Sequence, residues 1–514
     1  MTNPPWDKIR PNKNEFFGQF VANYKQMSAK DKKTLHEKYT DEFTEHKKTI
    51  DLKRTYYKNR GGIGENTDFE IYRLVLERIL QLLSPQGIMS VLIPSAIAGS
   101  RGAHAIRSHI LEHKIISLYE FENKKKIFPI HQQTKFVLLT MQNTASSTQF
   151  PAAFYLHETN QLDIIDKNQL TLTKEIIQSL SPNLLIICEL KDKQDLDIFL
   201  RLFQNHLRLE DMDGWSVDLG RELNLGEEKD KKLLVKNKYV KNSWPVLESK
   251  NFHQHIWNFA VTEHYADIKK TLKHTSSKQK FQGLNIEIHE NPRLVYRNVS
   301  AATNTRTMIA SIIPHSVFTT THAFMAIPRI GTLSINANYH TLNAYLCGIF
   351  NSMTFDYLIR PKIDKGVETY HVFDTIVPKN FTDKIASQII ELTAKLFLAT
   401  SWHDDMAISL AISKNDVKNI TMQKHIEIVS EIDALVAIHY GLEKNEYEHV
   451  MQSFRFDDKG IMPAILEPNA SISDFESGDR NKIMKQIFGH VRKLALEKYD
   501  NIADVYKKPV RKQS

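Results

Sequence analysis

The sequence predicts an α/β fold at its N-terminal end, followed by an α+β region and a helical tail, and three observations carry that prediction. Apolar residues recur at three- and four-residue steps between Phe69 and Leu83. Short aliphatic runs follow at residues 88–93, 115–121 and 135–141, and beyond Phe381 helical periodicity dominates. A helix alternating with strands in this order makes one half of a doubly wound sheet, whose ligands bind at the carboxyl ends of the strands.

The first 66 residues hold Asn3-Pro4-Pro5-Trp6 and then a Lys-rich stretch, residues 25–60, with scattered aromatics Tyr39, Phe43, Tyr56 and Tyr57. It reads as one or two solvated helices ending at Gly61-Gly62-Ile63-Gly64. That run is a turn rather than a dinucleotide fingerprint, because no strand precedes it. The next helix opens on a capping-box pattern, Thr67 with Glu70. Its apolar face is Phe69, Tyr72, Leu76, Ile79, Leu80 and Leu83, and Pro85 and Gly87 stop it. Residues 88–93 (IMSVLI) read as a buried strand closed by Pro94, residues 101–113 as a helix with Ile106, Ile110 and Leu111 inward, and residues 115–121 and 135–141 as two more strands. Loops 94–100 and 122–134 would emerge at the ligand-binding end of the sheet.

Residues 162–234 are mixed in pattern and suggest a connector. Between Pro245 and Pro378 short β-like runs alternate with turns, around one long helix over residues 342–358. The tail resolves into helices at 385–398, at 425–440 with Gly441 as the stop, and a basic one at 481–498. The expected organisation is an α/β domain at 1–150, a connector at 151–235, an α+β domain at 236–380 and a helical C-terminal region at 381–514.

The 514 residues exceed what one core organises, and a hydrophobic fraction of 41% with 25% charged residues is ordinary for a globular protein. A formal charge of +8 suits an acidic polymer as partner, since phosphates are contacted chiefly by Lys and Arg. No apolar run approaches the roughly 20 residues needed to cross a bilayer, so a soluble, cytoplasmic protein without membrane contact is expected. Cys188 and Cys347 stand far apart, which argues against both a disulfide framework and a Cys-based zinc site.

Asn3-Pro4-Pro5-Trp6 is the most informative tetrapeptide. Methylating the exocyclic amine of a base requires a more nucleophilic nitrogen. An Asn oxygen and a following carbonyl can accept the two amine hydrogens, prolines hold that carbonyl rigid, and an aromatic fourth residue stacks on a base flipped out of the duplex. In order, NPPWDKI, TDFEIYRLVLERILQLLSPQG, IMSVLIPSA and YEFENKKKIFPIHQQTKFVLLTM resemble the gamma class of adenine-specific DNA methyltransferases, in particular type IIG restriction-modification enzymes and related phage-defence methylases. WPVLESKNFHQHIWNF, NPRLVYRNVSAATNTRTMIASIIP, LNAYLCGIFNSMTFDYLIR and EIDALVAIHYGL extend the resemblance through their target-recognition and helical segments.

The resemblance implies the second half of a Rossmann-like methyltransferase sheet, with Asn3 and Pro4 at the amine, Pro5 stiffening the segment, and Trp6 and Phe128 stacking on adenine. It places Glu70 and Tyr72 on the side of the cofactor, S-adenosylmethionine, although Glu70 stands where the family often has Asn, and Val75 where Phe is common. The Gly-rich turn and acidic residue that bind this cofactor would lie before Asn3. The expectation is therefore a truncated product, or one half of a split enzyme completed by an upstream polypeptide, with most of the cofactor site missing.

Lys250, His253, Gln254, Arg293, Arg297, Asn304, Arg306 and Arg360 are suited to reading bases or gripping phosphates of double-stranded DNA. His253 and His255 mimic a metal pair but lack a third ligand, so no metal is expected. Residues 184–190, an apolar strand ending near Glu189 and Lys191 with Asp166 upstream, superficially fit a metal-dependent nuclease core, but the resemblance argues against that reading, because the family's nuclease domain normally precedes the methylase, and it implies a nuclease polypeptide as a partner instead. The expected function is site-specific DNA adenine-N6 methylation within a restriction-modification system. The alternatives are a catalytically inactive, sequence-specific DNA-binding module, and methylation of RNA or a protein amide.

Overall fold

The computed structural model describes residues 1–60, 69–146, 149–167, 169–236, 241–276, 288–300, 302, 304–330, 339–363, 366–418, 420–454 and 477–506. The predicted glycine turn at 61–64 and the capping role of Thr67 lie outside the described residues. The chain divides into two compact units, Met1–Leu200 and Arg201–Ser514.

The first unit is built on a mixed sheet of β1 (Ile88–Pro94), β2 (His113–Glu122), β3 (Lys135–Ala145), β4 (Phe150–Leu156) and β5 (Leu170–Leu172), in the order β1-β3-β2-β4-β5. β3 runs antiparallel between β1 and β2, while β2 and β4 are parallel. The three expected strands are present, and β4 and β5 extend the sheet beyond residue 150 into the stretch expected to be a connector. Within β1, Met89, Val91 and Ile93 are buried but Ile88 is exposed, so it is a half-buried strand rather than a fully buried one. On the edge of β1 away from β3, Thr2 adds a parallel bridge to Val91.

The periodic helix spans Ile71–Leu82 and buries Tyr72 and Leu76, as its pattern requires. Glu70 does not act as the third residue of a capping box. It is the extended residue just before the helix, and its carboxylate goes to Lys8 and Arg73 instead. The Lys-rich stretch forms helices Ala29–Lys38 and Thr40–Asn59, joined to a small aromatic core of Phe16, Phe17, Tyr24 and Phe43. The expected loop at 94–100 contains a short buried helix, Ala96–Gly99. Residues 185–190 are buried, and 184–190 form no strand. Leu185 takes a positive φ of 52°, and the Ile187 amide donates to Ala98 rather than to a sheet neighbour.

The second unit contains β6 (Leu207–Arg208), β7 (Trp215–Gly220), β8 (Leu234–Lys236), β9 (Ser243–Leu247), β10 (His264–Asp267), β11 (Arg293–Arg297), β12 (Ala310–Ile313), β13 (Phe318–Thr319), β14 (Ala323–Ile330) and β15 (Ile376–Val377). They form sheets β13-β9-β10-β8 and β12-β11-β14-β7 and a β15-β6 pair. Strand β7 thus makes part of the expected connector integral to a sheet. The predicted long helix is two, Tyr339–Asn351 and Met353–Ile359, because the Ser352 hydroxyl caps the second by accepting from the Phe355 amide at 3.0 Å. The tail helices are Lys384–Thr400, Met422–His439 and Ser477–Tyr506. Gly441, at φ 70°, ends the middle one with the left-handed residue such stops favour. Among the described residues no helix is long and apolar enough to cross a membrane.

Candidate active site

The tetrapeptide Asn3-Pro4-Pro5-Trp6 is pinned at both ends by backbone hydrogen bonds. Before it, the Thr2 amide donates to Ser90 at 3.0 Å and the Leu92 amide donates to Thr2 at 3.0 Å. After it, the Ile71 amide donates to Asp7 at 2.9 Å and the Ile9 amide to Phe69 at 2.7 Å, and Lys8 pairs with Glu70 at 3.1 Å. The segment therefore crosses from the edge of β1 to the start of the Ile71–Leu82 helix. Two prolines fix φ and donate nothing, so the span is stiff without internal hydrogen bonds. Asn3 and Pro5 are exposed, Pro4 is buried and Trp6 is half-buried. The Asn3 amide is thus open to an incoming group.

The structure brings Trp6 and Phe128 together. Their ring centroids are 6.5 Å apart at 74°, an edge-to-face contact, and both pack on Phe136, at 6.0 Å and 5.1 Å. Phe136 stacks on Phe121 at 5.4 Å and 9°, its cross-strand partner in the β2–β3 pair. The Trp6 indole N–H is buried without a hydrogen-bond partner.

Alternation along β2 and β3 puts Glu120, Glu122 and Lys135 on the opposite face from these rings. The Lys135 ammonium contacts Glu189 and lies 3.7 Å from Glu120 and 3.9 Å from Glu122. Burial raises the Glu120 carboxyl well above the usual range, and the neighbouring Glu189 raises it further. Burial disfavours the Lys135 charge, but Glu189 and Glu120 more than offset that and raise its pKa well above normal. Glu189, expected to end a nuclease-like strand, is instead a structural partner of Lys135.

Glu70 and Tyr72 are buried and engaged within the chain. Arg73 lies 2.8 Å from Glu70, donates to the Tyr72 hydroxyl at 3.0 Å and reaches Ser100 at 3.1 Å. Burial raises the Tyr72 hydroxyl pKa. This network underlies the start of the helix and, through Lys8, the end of the tetrapeptide segment.

Of the residues expected to read DNA, His253, Gln254, Arg293 and Arg306 are interior, so that expectation is corrected for them. His253 packs against Phe259 and Phe488, and burial lowers its pKa well below normal. Gln254 donates to Met308 at 3.3 Å and Asn351 at 3.1 Å. Arg293 donates to Ile288 at 2.9 Å and to Val317. Arg306 pairs with Asp356. Arg297 is half-buried, donates to the Phe252 carbonyl and has its pKa lowered to about 10 by burial. His255, the other half of the mimicked metal pair, is buried with its pKa lowered to about 3 by that burial. Exposure remains for Lys250, which lies 2.9 Å from Glu263, and for Asn304, which donates to Ser300 at 3.2 Å. Arg360 is partly exposed and bonds Asp356 and the Thr305 carbonyl. Sequence reasoning passed over Arg73 and Asn123, whose importance lies in partners that spacing does not reveal.

Residues 1–128 match the family model described as Eco57I restriction-modification methylase. Among solved structures, the chain is similar to the type IIG restriction endonuclease BpuSI, with 14% identity and a TM-score of 0.28 over 72% of this chain and 49% of that one. It is similar to the type IIL restriction-modification enzyme MmeI in complex with DNA, with 10% identity and a TM-score of 0.38 over 82% and 51%. It is also similar to the DrdV–DNA complex, with 10% identity and a TM-score of 0.37 over 98% and 57%. The chain spans about half the length of these structures. No curated protein sequence matches it.

Proposed function

We propose that this chain methylates the exocyclic N6 amine of adenine in a specific DNA duplex sequence, as part of a restriction-modification system. The observation that carries the reading is the exposed Asn3 amide on a rigid prolyl segment, beside two aromatic rings of which one, Phe128, comes from a distant loop. The match of residues 1–128 to a restriction-modification methylase family supports it.

In this reading the Asn3 side-chain oxygen and the Pro4 carbonyl accept the two amine hydrogens. That draws the nitrogen lone pair out of conjugation with the ring and turns it toward an electrophile. Trp6 and Phe128 hold the extruded base between their faces. The rings now touch edge to face, so admitting a base requires one of them to turn. In such reactions S-adenosylmethionine supplies the electrophilic methyl group. Glu70 and Tyr72 do not fit as its direct ligands, because Arg73 and Lys8 occupy their polar atoms. Their role here is to fix the segment that carries Asn3. In the second unit, the exposed Lys250 and Asn304 and the partly exposed Arg360 are the proposed DNA contacts, and the +8 charge favours such a partner.

The test is long-read sequencing of DNA from cells expressing the chain or its Asn3→Ala variant. N6-methyladenine at a defined motif, present with the first and lost with the second, is expected. An identical pattern in both, modification of cytosine instead, or specific DNA binding with no modification would each overturn the proposal.

A further inference from the structure

We propose that Asn123 is the positioning residue of this site, its carboxamide setting Phe128 opposite Trp6. The inference rests on the proposed stacking role of Phe128. Asn123 follows the last residue of β2 and is completely buried. Its amide donates to the Thr134 carbonyl at 3.0 Å, closing the mouth of the loop that leads into β3. Inside that loop its side chain grips Phe128 at both ends of the residue. The Asn123 Oδ1 accepts from the Phe128 amide at 2.9 Å, and Nδ2 donates to the Phe128 carbonyl at 3.0 Å. Nδ2 also donates to the Ile130 carbonyl at 3.0 Å, with the His131 carbonyl at 3.4 Å. Both amide hydrogens and the oxygen are thus used.

Beside this grip the loop is held by short backbone turns and by Ile127 and Phe128 packing on the aromatic cluster, and most of its other side chains are polar. It carries Lys124, Lys125 and Lys126 on one side of Phe128 and His131, Gln132 and Gln133 on the other, residues that favour solvent. Lys126 even takes a left-handed conformation, φ 56°, which non-glycine residues adopt rarely and which the surrounding structure must impose. The turn that imposes it closes on the Asn123 carbonyl, which accepts from the Lys126 amide at 2.9 Å. Because the clamp acts on the Phe128 backbone and not on its ring, it fixes the origin of the side chain, while the ring itself is held only by packing on Trp6 and Phe136. A site whose rings start in contact needs that combination to admit a base.

Only an Asn supplies this pattern at this position. Asp would face two carbonyls with an oxygen instead of a donor, and Ala would take the side-chain partner from the Phe128 amide and the Ile130 carbonyl, while the Phe128 carbonyl keeps the Ile130 amide at 2.8 Å.

The test measures methyl transfer to the motif duplex by the full chain and by Phe128→Ala, Asn123→Ala, Asn123→Asp and the double variant Asn123→Ala/Phe128→Ala. Loss of one base–aromatic stack implies a fall of roughly tenfold or more for Phe128→Ala. Asn123→Ala should fall comparably, in the rate at saturating DNA rather than in the half-saturating concentration. The double variant should be within about twofold of Phe128→Ala, because the two residues act through one ring. Wild-type rates in Asn123→Ala, or losses that multiply in the double variant, overturn the proposal. So does unfolding of both Asn123 variants in urea titrations, which would make Asn123 a residue of the fold alone. If Phe128→Ala itself keeps the wild-type rate while Asn3→Ala does not, the stacking role fails and this inference with it, but the amine chemistry at Asn3 survives.

Discussion

Arg306 and Asp356 form an ion pair 2.9 Å long, with their side chains 2% and 0% exposed. The same carboxylate accepts from the Thr307 amide at 2.9 Å and from Arg360 at 3.1 Å. The guanidinium also donates to the Asn351 carbonyl at 2.7 Å and lies near the rings of Phe454 and Phe488. Removing one member of such a pair strands a buried charge. Arg306→Ala is expected to destabilise the second unit by about 3–5 kcal/mol, read as a lower urea midpoint. Arg306→Met combined with Asp356→Asn should cost less than the sum of the two single changes. An unchanged midpoint in Arg306→Ala would mean that Arg360 alone satisfies Asp356.

That pair also shows where sequence reading ends. The Ile71–Leu82 helix, the first three strands and the tail helices were legible because apolar periodicity is local and sets both length and face. Phe128 was linked to Trp6 only through the family resemblance, because neither the tetrapeptide nor any local spacing points to a ring 122 residues away. Arg306 was not. A lone Arg in a polar stretch reads as an outward group, and the Asp that draws it inside lies in a helix remote in sequence. Arg293 went the same way, toward the carboxylate of Glu222 at 3.5 Å. The break at Ser352 was hidden for a different reason: a capping Ser inside an apolar run looks like an interior helical residue until its partner amide is seen. Residues 184–190 are apolar enough for a strand, yet the Leu185, Ile187 and Leu190 amides donate to Ser181, Ala98 and Cys188, outside any sheet.

Trp6 separates stacking from folding. Its ring is half-buried and touches Phe128 and Phe136 without a hydrogen bond from its N–H, so its replacement leaves no polar group stranded. Trp6→Ala should lower methyl transfer by about 10- to 100-fold, the range of one aromatic–base stack, while Trp6→Phe stays within a few-fold of wild type. Initial rates at saturating DNA decide it. Wild-type turnover in Trp6→Ala would remove the indole from the reaction.

Asp433 and His371 contribute to the pH dependence of the second unit with opposite signs. Burial raises the Asp433 carboxyl from 3.8 to about 6, against the pull of Arg306 and the hydrogen bonds from the Met353 amide and the Tyr447 hydroxyl. A carboxyl raised in the folded state contributes stability that is fully present below pH 3.8 and is lost as pH climbs through about 6, on the order of 3 kcal/mol. Burial, with Lys362 nearby, lowers His371 from 6.5 to about 3. Its contribution is present above pH 6.5 and is lost as pH falls through about 3. Relative to wild type, Asp433→Asn should gain stability at pH 7 over pH 4, and His371→Gln should lose less on acidification. Urea midpoints at the two pH values test both. A pH 7 minus pH 4 difference unchanged by Asp433→Asn would show that the carboxyl is hydrated in the folded chain.

Gly348 marks a close helix crossing in the second unit. It lies in the Tyr339–Asn351 helix, and a methyl group there would stand 2.6 Å from the Ile389 Cγ2 and 2.8 Å from the Thr393 Oγ1 of the Lys384–Thr400 helix. Ile389 and Thr393 are themselves buried, so neither can swing into solvent to make room. Gly348→Ala gains up to about 1 kcal/mol in helix propensity, but overpacking a dense core typically costs about 1–3 kcal/mol. The net expectation is a less stable unit, seen as a lower thermal midpoint. Gly18→Ala is the control, because Gly18 is also helical and a methyl group there meets nothing within 4 Å, so its midpoint should be unchanged or slightly raised. If Gly348→Ala were as stable as Gly18→Ala, the two helices would have to separate at almost no cost, and close packing at this crossing could not be what holds the Tyr339–Asn351 helix in place.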